Sequence, residues 1–122
     1  MKKLKKILIA SIALLSVTFA GCSTEENMLV GTWYQYYQGS INQKFTLTSS
    51  GTYTWTYNIG QYYQGQSLQN SISGRWSYDE NSRTLVTSRT ETSHTRTFYV
   101  QSLTDSQLVL IESDGDSYTW TR

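Results

Sequence analysis

The stretch Thr52-Tyr53-Thr54-Trp55-Thr56-Tyr57-Asn58-Ile59 decides the fold. Tyr53, Trp55, Tyr57 and Ile59 alternate with Thr54, Thr56 and Asn58, so one set is apolar or aromatic and the other is polar. A period of two places the sets on opposite faces of an extended strand, of which only the aromatic face is buried. Ser49-Ser50-Gly51, just before it, is a hairpin signal.

The same alternation continues in both directions. Upstream, Val30 to Tyr37 reads as a strand with Trp33, Gln35 and Tyr37 on one face and Tyr34 and Tyr36 on the other. Gly39 to Asn42 is expected to turn, and Lys44 to Thr48 follows with Phe45 and Leu47 on a common face. Downstream, Gly60 to Asn70 reads as the longest irregular stretch, rich in Tyr, Gln and Gly. Ile72 to Tyr78 then aligns Ile72, Gly74, Trp76 and Tyr78, and Asp79 to Ser82 turns. Arg83 to Arg89, Thr95 to Leu103, Gln107 to Glu112 and Ser117 to Arg122 complete the set, with Asp114-Gly115 expected to form a type I′ turn before the last strand. No segment shows helical periodicity. Eight short strands joined mostly by tight turns predict an all-β fold, an antiparallel up-and-down β-barrel. An immunoglobulin-type sandwich expects a Cys…Trp…Cys core, and this chain has a single cysteine.

The N-terminus has a different character. Lys2, Lys3, Lys5 and Lys6 precede an apolar run from Ile7 to Phe19, followed by Ala20-Gly21-Cys22. This pattern predicts a lipoprotein signal peptide over residues 1–21, cleaved before Cys22, whose thiol then carries a diacylglycerol. The run is too short to span a bilayer comfortably. Residues 22–28 are expected to form a lipidated tether, and residues 29–122 the barrel. The acidic pair Glu25-Glu26 resembles signals that send some bacterial lipoproteins to the outer surface; it also suits a merely solvated tether. The expected location is the bacterial cell envelope, lipid-anchored at the outer membrane, with the periplasmic or outer-surface orientation open.

From Cys22 onward one Lys and five Arg face nine acidic residues, a net charge of −3. The few scattered cations provide no footprint for nucleic acid. Sixteen residues of this part are aromatic, a composition that favours strands.

Several segments resemble small bacterial lipoproteins with a lipocalin-like domain. Leu29-Val30-Gly31-Thr32-Trp33 contains the Gly-x-Trp of lipocalins. Phe45 leads to Ser50-Gly51-Thr52-Tyr53, followed by Gly74-Arg75-Trp76-Ser77-Tyr78, Val100 through Leu110, and a last strand Tyr118 to Arg122. The resemblance spans nearly all of the chain after Cys22. It implies an eight-stranded barrel in which Gly31, Trp33 and Arg122 close one end, with the arginine packed across the tryptophan. The first loop is shorter than a lipocalin lid, and the Thr-Asp-Tyr segment and C-terminal helix of classical lipocalins are missing.

Binding is the function this sequence favours over catalysis. The expected inward set includes Tyr53, Trp55, Tyr57, Trp76 and Tyr118, which either line a pocket for a small apolar or amphipathic molecule or fill the barrel. In the second case the barrel acts through its rim, as a protein- or glycan-interaction module. Gln-Tyr-Tyr-Gln-Gly occurs twice, at Gln35 to Gly39 and Gln61 to Gly65, and Tyr62 and Tyr63 are the candidates for a binding rim. Glu112, Asp114 and Asp116 fit a turn better than a calcium loop. His94 is the sole histidine, so no zinc site is expected. No metal, cofactor or catalytic residue is assigned, since no nucleophile elbow, oxyanion loop or carboxylate pair in a cleft is recognisable. Oligomeric state is open.

Overall fold

The computed structural model describes residues 24–122, so the expected signal peptide and Cys22 lie outside the described residues. A short helix, α1 (Glu25–Leu29), is followed by ten strands: β1 (Gly31–Tyr37), β2 (Ser40–Leu47), β3 (Thr52–Tyr57), β4 (Tyr62–Tyr63), β5 (Gln66–Ser67), β6 (Asn70–Asp79), β7 (Thr84–Arg89), β8 (Thr95–Leu103), β9 (Gln107–Glu112) and β10 (Ser117–Thr121). Eight of them close into an antiparallel barrel in the order β9-β10-β1-β2-β3-β6-β7-β8, while β4 and β5 form a separate small hairpin. Apart from that hairpin, each barrel strand pairs with its sequence neighbours, which makes the barrel an up-and-down meander.

The alternation in Thr52–Tyr57 carries through to three dimensions. Tyr53 and Trp55 are buried and Thr52 and Thr54 are exposed, although Thr56 is covered too, with its hydroxyl 2.9 Å from Ser71 Oγ. Trp33, Phe45, Leu85, Phe98, Val100, Leu108, Leu110 and Trp120 have no exposed surface and fill the barrel axis. Phe45, Trp55 and Trp120 stack on one another with ring centroids 5.2–5.4 Å apart. The interior is a packed aromatic core and not a hollow.

Three expectations need correction. The segment read as a polar tether contains α1, whose N-cap Thr24 accepts from Asn27 N through its side chain and whose first turn holds Glu25 and Glu26. That arrangement satisfies a free N–H and places acids at the positive end of the helix. Five residues are too few to show a 3.6-residue period. The stretch read as irregular between Gly60 and Asn70 contains the β4–β5 hairpin, with Tyr62 opposite Ser67 and Tyr63 opposite Gln66. The Asp114-Gly115 turn is not type I′, because only Gly115 has positive φ; residues 113–116 form a four-residue loop.

Type I′ geometry appears elsewhere. Gln38 and Gly39 have φ of 52° and 83°, and Gln64 and Gly65 have φ of 50° and 81°. Each pair is the two-residue loop of a hairpin, between Tyr37 and Ser40 and between Tyr63 and Gln66. The expected turn at Gly39 to Asn42 is therefore tighter and earlier. The repeated pentapeptide is a repeated structural unit: two tyrosines at the end of a strand, then a positive-φ Gln-Gly turn. Between Gln35 and Tyr36 the β1–β2 register shifts, so Asn42 is bulged. Its carbonyl accepts from Ile59 N at 3.0 Å, which docks the segment after β3 onto β2.

Candidate functional site

The two ends of the barrel are built differently. At the closed end, Leu29 of α1 is fully buried, and Trp33 Nε1 donates to its carbonyl at 2.9 Å. Arg122 Cζ lies 3.9 Å from the Trp33 ring centroid. Its guanidinium donates to the carbonyls of Val30, Met28 and Asp105, each at 2.9 Å. Gly31 has φ of +136°, and a Cβ there would come within 2.9 Å of Arg122 Nη1. Glycine is thus required both by conformation and by the closeness of the arginine. Tyr78 donates to Glu25 Oε1, and Arg83 lies 3.5 Å from Glu25 Oε2, which ties α1 to β6 and the following turn. Burial, and then the bond to Glu25, push the Tyr78 hydroxyl up to about 12. This end is a structural latch, and Glu25 belongs to it.

At the opposite end, β3, β8, β9 and β10 bring together a cluster that the sequence reading did not assemble. Arg96 donates from Nε and Nη2 to the two oxygens of Glu112, both at 2.7 Å, in a bidentate pair. Tyr118 OH donates to Glu112 Oε1 at 3.1 Å. The Arg96 guanidinium lies over Trp55, 4.5 Å from the ring centroid, and against Phe98 and Tyr118 at 5.1 and 5.8 Å. Hydrogen bonding to Arg96 holds the Glu112 carboxyl below its ordinary range, and the same bonds raise Arg96. Burial, followed by Glu112, raises the Tyr118 hydroxyl. Parity could have revealed this cluster: Arg96 shares the inward face of Phe98 and Val100, and Glu112 that of Leu108 and Leu110.

Above this layer, the mouth of the barrel holds a depression of about 350 Å³ lined by Gln43, Trp55, Tyr57, Asn58, Ile72, Arg89 and Arg96. Trp55 Nε1 donates to Gln43 Oε1 at 2.7 Å, which fixes the indole as its floor. Of the seven expected ligand-contacting residues, Trp55 and Tyr57 line this depression. Tyr53 and Trp76 are buried in the core, and Trp76 Nε1 donates to Thr48 O at 2.9 Å. Tyr118 is engaged with Arg96 and Glu112 beneath the floor. Tyr62 and Tyr63 stand in solvent on the small hairpin, apart from this lining. Gln43, Asn58, Arg89 and Arg96 are the lining residues that sequence reasoning missed. Among the described residues, no three His, Cys, Asp or Glu side chains are grouped to hold a metal ion, and no helix is long and apolar enough to cross a membrane.

A closed barrel of eight short antiparallel strands, latched by Gly31, Trp33 and Arg122, is lipocalin-like. Solved structures agree on the fold. A lipocalin-like protein from Bacteroides uniformis superposes with a TM-score of 0.57 at 17% identity, covering 78% of this chain and 98% of that one. An uncharacterised protein from Bacteroides eggerthii gives 0.55 at 16% identity, covering 77% and 98%. A Bacteroides uniformis protein solved by NMR gives 0.58 at 12% identity, covering 78% and 88%. Residues 1–113 match the family described as a domain of unknown function, DUF3994, and the chain belongs to that family. No curated protein matches it.

Proposed function

We propose that this protein is a non-enzymatic, envelope-anchored binding protein that holds a small amphipathic anion in the mouth of its barrel. The observation that carries the reading is the lining of the mouth. Trp55, Tyr57 and Ile72 offer an apolar surface, while Arg89 and Arg96 supply positive charge beside it. Arg96 is neutralised by Glu112, whereas among the described residues Arg89 meets only the exposed Glu91 at 3.9 Å, a weak pair. Arg89 is therefore the cation available to a ligand headgroup. The ligand class is a molecule with a flat or chain-like apolar body and one negative group, seated across the rim because the core below is full. The anchor in this proposal is the acylated Cys22, supported by the basic, apolar and small-residue order of the first 22 residues.

The probe is anilinonaphthalene sulfonate, followed by its own fluorescence against the full chain. Saturable binding at one site is expected, weakened by added salt and weakened about three- to tenfold by Arg89→Gln, the effect of one partly exposed charge. Binding that ignores both salt and Arg89 contradicts the proposal. For the anchor, Cys22→Ala is expected to release the protein from the membrane fraction; retention there would count against lipidation.

A further inference from the structure

A second surface lies outside the mouth, and the charge distribution of the chain singles it out. Between Glu26 and Arg75 the only charged residue is Lys44, whereas Arg75 to Arg122 carries twelve. One half of the barrel wall, β1 to β3 with the β4–β5 hairpin, is thus almost free of charge. That half also carries both copies of the pentapeptide. Tyr36, Tyr37, Tyr62 and Tyr63 are 58–68% exposed, far more than a tyrosine with a packing role.

The Asn42 bulge and its hydrogen bond from Ile59 bring the two hairpins side by side. Between them runs a groove of about 360 Å³, with Tyr37, Gln38 and Asn42 on one wall and Ile59, Gly60 and Gln61 on the other. Gln61 is also fixed from behind, since its carbonyl accepts from Leu68 N at 2.8 Å. The first wall presents the exposed Tyr37 ring beside the amides of Gln38 and Asn42, and the second presents the apolar Ile59 beside the amide of Gln61. Lys44 lies further down β2, opposite Tyr34, and does not line the groove.

We propose that this groove binds a neutral glycan, with the Tyr37 ring stacking on the apolar face of a pyranose ring and Gln38, Asn42 and Gln61 bonding the sugar hydroxyls. The match of charge decides the class. An anionic polymer would find no cation here, and a charged peptide no counter-charge, while an uncharged polyhydroxylated chain leaves no ion desolvated. The groove volume lies within the range of small-ligand sites, enough for a short run of sugar rings. The site is separate from the mouth, so failure of either proposal leaves the other standing.

The test is calorimetric titration of the full chain, kept in a polyoxyethylene detergent so that no sugar headgroup competes. The probes are maltohexaose, cellohexaose and chitohexaose, with polygalacturonate as the charged comparison. At least one neutral hexaose is expected to bind with a Kd on the order of 0.1–1 mM, unchanged by added salt. The double variant Tyr37→Ala with Gln61→Ala is expected to weaken it about tenfold or more. Both side chains are exposed, so the circular dichroism of that variant should match the parent. Tyr99→Ala, an exposed tyrosine on the charged half, should leave binding intact. The proposal is overturned by no binding of any hexaose, by binding that survives the double variant, or by salt-sensitive preference for polygalacturonate. Tyrosine-dependent capture of a protein without glycan binding would overturn it as well.

Discussion

At Gly31 the backbone sits at φ +136° with Arg122 Nη1 where a methyl group would have to go. Gly31→Ala is therefore expected to destabilise the protein by about 1–3 kcal/mol, through strain and displacement of the arginine. Urea denaturation should show a lower midpoint with an unchanged slope. Glu112 supports a second residue-scale prediction. Its carboxyl is held below the ordinary value of 4.5, so the folded state favours the ionised form. The stability contributed by the Arg96 pair is complete above that ordinary value and fades as pH falls through the lower folded-state value. Glu112→Gln should cost about 2–3 kcal/mol at neutral pH, because it leaves Arg96 charged, half-buried and without its carboxylate. As pH falls below 4.5, the parent should lose stability more steeply than the variant. Equal slopes for the two proteins would remove Glu112 from that acid transition.

Among the elements, the seam between first and last strands is the thinnest. β10 and β1 share one paired position, Thr121 opposite Tyr34, whereas β1 and β2 pair along their whole length. Arg122 bridges this seam by reaching from the end of β10 to the carbonyls before β1. Removal of Arg122 should accelerate amide exchange in β1 and β10 before any other strand, as read by hydrogen–deuterium exchange. Uniform acceleration around the barrel would mean that the arginine stabilises the whole and not the seam. The strands themselves were legible because each alternates in character with one face buried. The elements that escaped were those too short to have a period: α1, with five residues, and β4 and β5, with two each. The pentapeptide was visible as a repeat, but its meaning was not, because Gln is an uncommon occupant of the positive-φ position before glycine.

For the molecule as a whole, the distribution of side chains along the barrel axis separates function from support. The latched end is closed by α1 and Arg122, and the middle is filled by rings. Composition alone left both a hollow and a filled barrel open, with a slight lean to the filled one, because the same aromatic alternation serves both. The depth of packing decides it: Phe45 and Trp120 have no exposure, and Trp55 retains only 6% at the mouth. Sequence reading found the inward face but not the depth of each residue along it, which explains how Tyr53 and Trp76 joined Trp55 and Tyr57 as ligand candidates. Strand direction supplies what was missing. Tyr53 lies at the latched start of β3, with Gly74 opposite, and Tyr57 at its open end, with Asn70 opposite.

The four tryptophans provide a direct reading of the proposed site. Each indole N–H gives its own peak in a nitrogen–proton correlation spectrum. Trp33 is held at the latch by Leu29 and Trp76 by Thr48, Trp120 is buried in the core, and Trp55 alone lines the mouth. Titration with anilinonaphthalene sulfonate should move the Trp55 peak while those of Trp33 and Trp76 stay in place. Larger shifts at Trp33 or Trp76 than at Trp55, or no shift at any of the four, would contradict a binding site at the barrel mouth.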